Sequence, residues 1–307
     1  MNSVGRAGLL PSFTSAHAPA YWWRWSASTT RSVVISAMLL VGAGVAGLSA
    51  QGPGAGSTVF PGSAGVQLRH EPVFGVGPHT TWRGGWGVEI EVERHGSETV
   101  VPVEVMYGVT EKLTVTATLP WEASSADGGL GEVGLRAKWR FATRFAPGLS
   151  DAVALIGGVT IPRNRAGGAR KGGPGIMAGL AAGRESRRWY YFAGARGTLR
   201  VSRDGYDPGD HLALNMAWGI RPRLTAFDEP DLVILVEGNY RMVGRSTLAG
   251  EVDRATGSRV LTFGPAVLYS IRNIMFKGGL DIPIWDRFNE AGKDASTMVI
   301  GALEIHW

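Results

Sequence analysis

The sequence predicts an all-β fold: an antiparallel up-and-down transmembrane β-barrel of about twelve strands, preceded by a cleaved signal peptide. Three observations predict it. From Trp86 onward the chain divides into runs of about ten residues whose side chains alternate in polarity, the length a tilted strand needs to cross a bilayer. The connections between these runs are alternately short and long, and aromatic residues fall near the ends of the runs.

The elements follow in chain order. In residues 1–50, Arg24 and Arg31 precede an uncharged run from Val33 to Leu48, followed by the small residues Ser49 and Ala50. A spanning helix needs about 20 apolar residues, so this run is short, and its charge order is that of a secretory signal. It has no polar face, which argues against a buried soluble helix. Cleavage is expected after Ala50, with Ala46 as the alternative, and a start codon downstream of Met1 would account for the long N-terminal extension. Residues 51–85 are rich in Gly, Pro and Ser up to residue 80, lack a sustained period, and read as an irregular periplasmic lead-in or a plug.

Residues 86–307 then supply the barrel, with strands expected at 86–95, 99–107, 113–121, 130–141, 152–162, 175–184, 188–199, 210–221, 231–242, 259–270, 274–285 and 296–307. An even number suits a bacterial barrel with both ends in the periplasm. If the first strand runs outward, the outer connections are 96–98, 122–129, 163–174, 200–209, 243–258 and 286–295. Apart from the first, these are longer on the whole than the periplasmic ones.

Alternation alone suits a soluble sandwich equally well, with the apolar row turned inward. The polarity of individual strands separates the two folds. The third strand opposes Leu113, Val115, Ala117, Leu119 and Trp121 to Thr114, Thr116 and Thr118. The fourth opposes Val133, Leu135, Ala137, Trp139 and Phe141 to Gly134, Arg136, Lys138 and Arg140, and the eighth opposes Leu212, Leu214, Met216, Trp218 and Ile220 to His211, Asn215 and Arg221. Charges facing lipid cost about 2–4 kcal/mol at the midplane, so the polar rows are expected inside. Tyr107, Trp121, Trp139, Phe141 and Trp285 sit where an interfacial girdle forms. In the last strand Val299, Gly301, Leu303, Ile305 and Trp307 share one parity. Its ending on Leu303, Ile305 and Trp307 is the pattern expected of an insertion signal for the barrel-assembly machinery.

Composition agrees. Arg6, Arg24 and Arg31 are the only charged residues before position 51, so the remainder carries 28 basic and 26 acidic residues and gives little reason to expect a nucleic-acid partner. The absence of cysteine excludes disulfides, thiolate metal sites and a lipid-modified N-terminal cysteine. No stretch beyond the signal is long and apolar enough for a spanning helix.

Four segments, 107–121 (YGVTEKLTVTATLPW), 129–141 (GLGEVGLRAKWRF), 263–272 (FGPAVLYSIR) and 279–284 (GLDIPI), resemble the outer-membrane transporter family associated with the meta pathway of phenol degradation. The resemblance covers most of residues 82–307. It implies an outer-membrane barrel for which uptake of aromatic or other hydrophobic compounds has been supposed. It implies no catalytic motif, cofactor or site residue. The long region before the signal and the final Trp307 depart from the usual pattern.

A twelve-strand bore lies between the side-chain-filled eight-strand barrels and the water-filled porins. Strand parity sends Glu89, Glu91, Glu93 and Glu104 to the lumen from the first two strands and Arg136, Lys138 and Arg140 from the fourth. Arg196, Arg221, Glu237, Arg241, Lys277, Asp281 and Glu304 follow. These charges either set a transverse field that orients a solute or pair with one another and stiffen the interior. Closure would make Glu304 and His306 neighbours of the row Glu89 to Glu93. In an outer loop, Arg163, Arg165, Arg170 and Lys171 form a basic cluster, either a solvated loop or a site for lipopolysaccharide phosphates.

Enzyme readings find little support. His95 and His211 lie near the outer rim with Ser97 and Asp210 close in sequence, but no nucleophile elbow accompanies them, and no His or carboxylate pair has metal-ligand spacing. His70 and Glu71 beside Pro72 read as loop residues. Two functions are expected: a passive channel or transporter for small hydrophobic or amphipathic solutes, or a structural or adhesive barrel with a blocked lumen. The expected partners are outer-membrane lipid and lipopolysaccharide, the assembly machinery and a small-molecule solute.

Overall fold

The computed structural model describes residues 70–123, 129–162, 172–225 and 229–307. The expected signal peptide and the cluster Arg163, Arg165, Arg170 and Lys171 lie outside the described residues. Twelve long strands follow one another: β1 (Trp86–His95), β2 (Glu98–Thr110), β3 (Leu113–Ala123), β4 (Val133–Ala146), β5 (Leu149–Ile161), β6 (Gly175–Ser186), β7 (Trp189–Arg200), β8 (His211–Ile220), β9 (Asp231–Val243), β10 (Ser258–Ile271), β11 (Ile274–Phe288) and β12 (Met298–His306). Each pairs antiparallel with the next, and β12 pairs back onto β1, from Gly87↔His306 to His95↔Met298. The sheet is therefore closed, leaving no long strand with a free edge. At the seam, Trp86 N–H donates to the Trp307 carbonyl (2.8 Å) and Trp307 N–H to that of Trp86 (3.0 Å).

All twelve expected strands are present, and β4 departs most from its expected span. Its start is displaced because Gly129–Leu130 pairs separately with Trp121 and Glu122 of β3. Its end is extended because a bulge between Arg140 and Ala142 lets pairing with β5 run on to Ala146. At one end of the barrel the connections at 111–112, 147–148, 187–188 and 272–273 are tight turns, with 221–230 the longer exception. Gly148 takes the positive φ (71°) that the turn after Pro147 requires. At the other end the connections are long, apart from 96–97. Two of them meet in a small sheet of Tyr206–Asp207, Thr247–Leu248 and Glu251–Val252. Short turns mark the periplasmic end and long loops the outer end.

The outward row is apolar and uncovered. Leu135, Trp139 and Phe141 of β4 are exposed while the alternating Lys138 and Arg140 are buried, and Leu232 and Ile234 of β9 are exposed while Val233 and Leu235 are fully buried. This is the inversion a lipid-facing barrel requires and a soluble sandwich cannot tolerate. Near the periplasmic rim Trp86 lies 4.7 Å from Tyr107 between ring centroids, Trp189 stacks on Trp218 at 5.4 Å, and Tyr269 approaches Phe276 at 6.4 Å. Near the outer rim Trp121 and Trp285 are exposed. Amphipathic rings at both interfaces form the girdles that anchor such a barrel in depth.

The interior differs from expectation in one respect. The inward row is not polar throughout: Tyr190, Phe192, Val233, Leu235, Ala266, Leu268 and Met275 form a buried apolar cluster inside the barrel together with Val73. The physical reason is the chain before β1, which folds into the bore and covers these side chains.

Candidate functional site: the barrel lumen

Residues 70–82 enter at the periplasmic rim, rise to about mid-barrel and return. His70 lies 3.4 Å from Asp231 and from Ser270, at the periplasmic ends of β9 and β10, and its ring meets Tyr190 edge-on at 5.4 Å. At the tip, the backbone N–H groups of Val73 and Phe74 donate to the two carboxylate oxygens of Glu237 (2.7 and 3.0 Å). The Phe74 ring occupies space left by Gly279, where a Cβ would stand 2.7 Å from two ring carbons. Lys138 ties the two limbs together, bonding Glu71 on the way in (2.5 Å) and the Gly77 carbonyl on the return (3.1 Å). His79 lies 3.3 Å from Glu185, and Thr81 N–H donates to Thr114 Oγ1 (2.8 Å). Backbone donors, a carboxylate, an ammonium and apolar contacts thus satisfy an irregular segment where strand pairing cannot. His70 lies off the strands, and burial holds its pKa below the ordinary value, against the upward pull of Glu185 and Asp231 and with the downward push of Arg221 and His79.

Above this segment the wall is charged, and most charges are paired along it. Lys277 of β11 bonds Glu304 on β12 (2.5 Å) and Glu89 on β1 (2.9 Å), and Glu304 also contacts His306. Glu89 stands directly opposite Glu304 in the β1–β12 register. Arg136 of β4 bonds Glu104 of β2 (2.8 Å), which also accepts from Thr118 Oγ1 on the intervening β3 (2.9 Å). Arg241 bonds Asp281 (2.6 Å), with Asn239 donating to the other oxygen (3.1 Å). Arg200 bonds Glu132 (2.5 Å).

Two cavities lie within this wall. The deeper, about 430 Å³, is floored by Val73, Phe74, Gly75 and Val76 and bordered by the acids Glu89, Glu91, Glu93 and Glu104 and the bases Arg136, Arg196, Arg241 and Lys277. The outer, about 350 Å³, is bordered by Glu132, Arg200 and His211 at the outer strand ends. Glu104, Thr118, Arg136, Arg196, Ala213 and Arg241 border both, so the two spaces meet at that level.

The lumen residues singled out in the sequence therefore separate into two sets, with Arg221 outside both. Glu89, Glu91, Glu93, Glu104, Arg136, Arg196, Arg241 and Lys277 border the cavities. Lys138, Arg140, Glu237, Asp281 and Glu304 are buried in bonds within the wall or to the entering segment. Arg140 donates to the Glu111 carbonyl at the periplasmic turn (2.6 Å). Arg221 lies just beyond β8, where it bonds Asp231 (2.6 Å) and sits 5.4 Å from the Tyr190 ring centroid. Leu303, Ile305 and Trp307 lie on the outward parity of the last strand. Sequence reasoning missed Glu71, Val73 and Phe74. The signal for them was two adjacent apolar residues amid Gly and Pro, which a solvated lead-in has no reason to carry.

No family model matches the sequence, and no curated protein sequence matches it either. Solved structures do. An outer-membrane channel from Pseudomonas putida F1 superposes with a TM-score of 0.61 at 9% identity, over 78% of this chain and 100% of that one. The chain has the fold of an outer-membrane β-barrel. The NanC porin (TM-score 0.45, 5% identity, 72% of this chain and 98% of that one) and LpxR from Salmonella typhimurium (TM-score 0.39, 10% identity, 71% and 99%) are more distant. At these identities the likeness is one of fold.

Proposed function

We propose that this protein is a passive channel of the outer membrane for small amphipathic or hydrophobic solutes, aromatic ones included. The observation that carries the reading is the pair of adjoining cavities inside a closed barrel, polar along the wall and apolar at the floor. A bore with both kinds of lining suits a solute that has both kinds of surface. The resemblance of 107–121, 129–141, 263–272 and 279–284 to the phenol-degradation transporter family supports the aromatic part of the reading. Export through a signal peptide in residues 1–50, insertion guided by Leu303, Ile305 and Trp307, and contact of the outer rim with lipopolysaccharide belong to the same proposal.

One observation favours the alternative, a structural or adhesive barrel with a blocked lumen: residues 70–82 are bonded to the wall at both rim and tip. Planar-bilayer recording of the refolded protein separates the two readings. Discrete openings support the channel, and silence across applied voltages supports the blocked barrel.

A further inference from the structure

We infer that the deeper cavity selects small zwitterions bearing an apolar group, held crosswise with the carboxylate toward β7 and the ammonium toward β1. The inference rests on the channel reading and names its solute. Once the wall's ion pairs are assigned, few lumen charges remain uncompensated among the described residues. The Arg196 guanidinium makes no hydrogen bond or ion pair there, and Glu104, already bonded to Arg136, is the anion that acts on it. Glu91 and Glu93 hydrogen-bond each other through a shared proton and so carry one net negative charge between them; the cations near them are Lys277, already held by Glu89 and Glu304, and His95, whose Nε2 lies 3.9 Å from Glu93.

These leftover charges face each other. β1 and β7 are six strands apart in either direction around a closed ring of twelve, so Arg196 and the two carboxylates occupy opposite sides of the same 430 Å³ space. Paired charges elsewhere cancel locally, but these set a field across the bore. An uncompensated charge in a narrow, partly dehydrated lumen is costly, and a free anion or a free cation relieves only one side. A solute with a carboxylate and an ammonium joined by a short skeleton relieves both, and its apolar group then meets Val73, Phe74 and Ile300. The approach favours the same orientation. Arg136, Arg200 and Arg241 at the outer cavity are paired with Glu104, Glu132 and Asp281, so Arg196, which borders both cavities, is the arginine left to draw the carboxylate in first.

The test uses full-length folded protein in liposomes, with folding of every variant verified by heat-modifiable mobility. Swelling rates are compared for L-leucine, N-acetyl-L-leucine (anion), L-leucinamide (cation) and arabinose as a neutral reference. L-leucine is expected to enter about tenfold faster than either singly charged analogue. Arg196→Met should slow L-leucine and N-acetyl-L-leucine about tenfold and leave L-leucinamide unchanged. Glu91→Gln with Glu93→Gln should slow L-leucine and L-leucinamide instead. Equal rates for the three leucine compounds, or an L-leucine rate indifferent to Arg196→Met, would overturn the inference. Failure of arabinose and every leucine compound to enter would overturn the channel reading instead. Equilibrium dialysis of labelled L-leucine against the detergent-folded barrel then decides the inference separately: binding lost in Arg196→Met sustains it, and no binding by the unaltered protein ends it.

Discussion

Replacing Lys277 with Met should destabilise the barrel at its seam. Lys277 is the sole cation bridging Glu89 and Glu304 among the described contacts, at 2.9 and 2.5 Å, and the three side chains are only 8%, 13% and 12% exposed. Methionine has nearly the same length and leaves two carboxylates facing one another with nothing between them. Removing one member of a buried pair costs about 3–5 kcal/mol, because the partner stays buried and uncompensated. Lys277 borders a cavity, and water there screens part of that cost, so about 3 kcal/mol is expected. Glu89→Gln alone should cost about 1 kcal/mol, since Lys277 keeps Glu304 and the amide still accepts a hydrogen bond. The triple variant Lys277→Met, Glu89→Gln, Glu304→Gln should recover most of the loss, because no net charge is left buried. Reversible urea unfolding in lipid vesicles, followed by tryptophan fluorescence, measures all three. A loss below about 1 kcal/mol for Lys277→Met, or a triple variant no more stable than the single one, would refute the argument that charge pairing holds the β11–β12–β1 seam.

Other expectations are as direct. Glu237→Ala removes the acceptor for two backbone N–H groups at the tip of the entering segment. Faster hydrogen exchange at Val73 and Phe74 and a larger single-channel conductance should follow, and unchanged exchange would show that the tip is held by packing alone. Acidification should loosen the same segment. With its folded pKa below the ordinary 6.5, His70 binds a proton less readily when packed than when released. Docking is therefore undiminished above about pH 6.5 and weakens as pH falls from there toward the folded value. The groups facing it, Asp231, Glu185, Arg221 and His79, stay the same in His70→Gln, which should abolish this part of the pH dependence of exchange. On the outside, Met216 is 63% exposed near the middle of β8, so Met216→Arg should cost about 2–4 kcal/mol in vesicles, and a neutral result would move that surface out of the hydrocarbon.

The strands were legible because the two solvents of a membrane barrel differ so sharply. β4 writes Leu135, Trp139 and Phe141 against Arg136, Lys138 and Arg140, and only one arrangement in a bilayer accepts that row. The neighbourhood of Glu304 with Glu89 was legible too, because closing a sheet of known order sets the last strand against the first with both polar rows turned inward. β9 was harder. Leu232, Val233, Ile234 and Leu235 are apolar on both parities, and alternation says nothing about what covers the inner one. The cover comes from residues 70–82, whose irregular backbone has no period to read and whose contacts reach Lys138 and Glu237 far along the chain. Individual ion pairs were likewise hidden. Parity places Arg136 and Glu104 on one surface, but the stagger that brings them within 2.8 Å across β3 is a property of the tilted wall.

The reciprocal bonds between Trp86 and Trp307 also bear on assembly. Every interior strand gains its two neighbours as the hairpins zip, but β1 can gain its second partner only from the strand laid down last. Until then both borders of the growing ribbon expose unsatisfied amides and carbonyls that hydrocarbon cannot serve. Such an intermediate must be shielded by something other than lipid, and the ring becomes self-sufficient in a single late event.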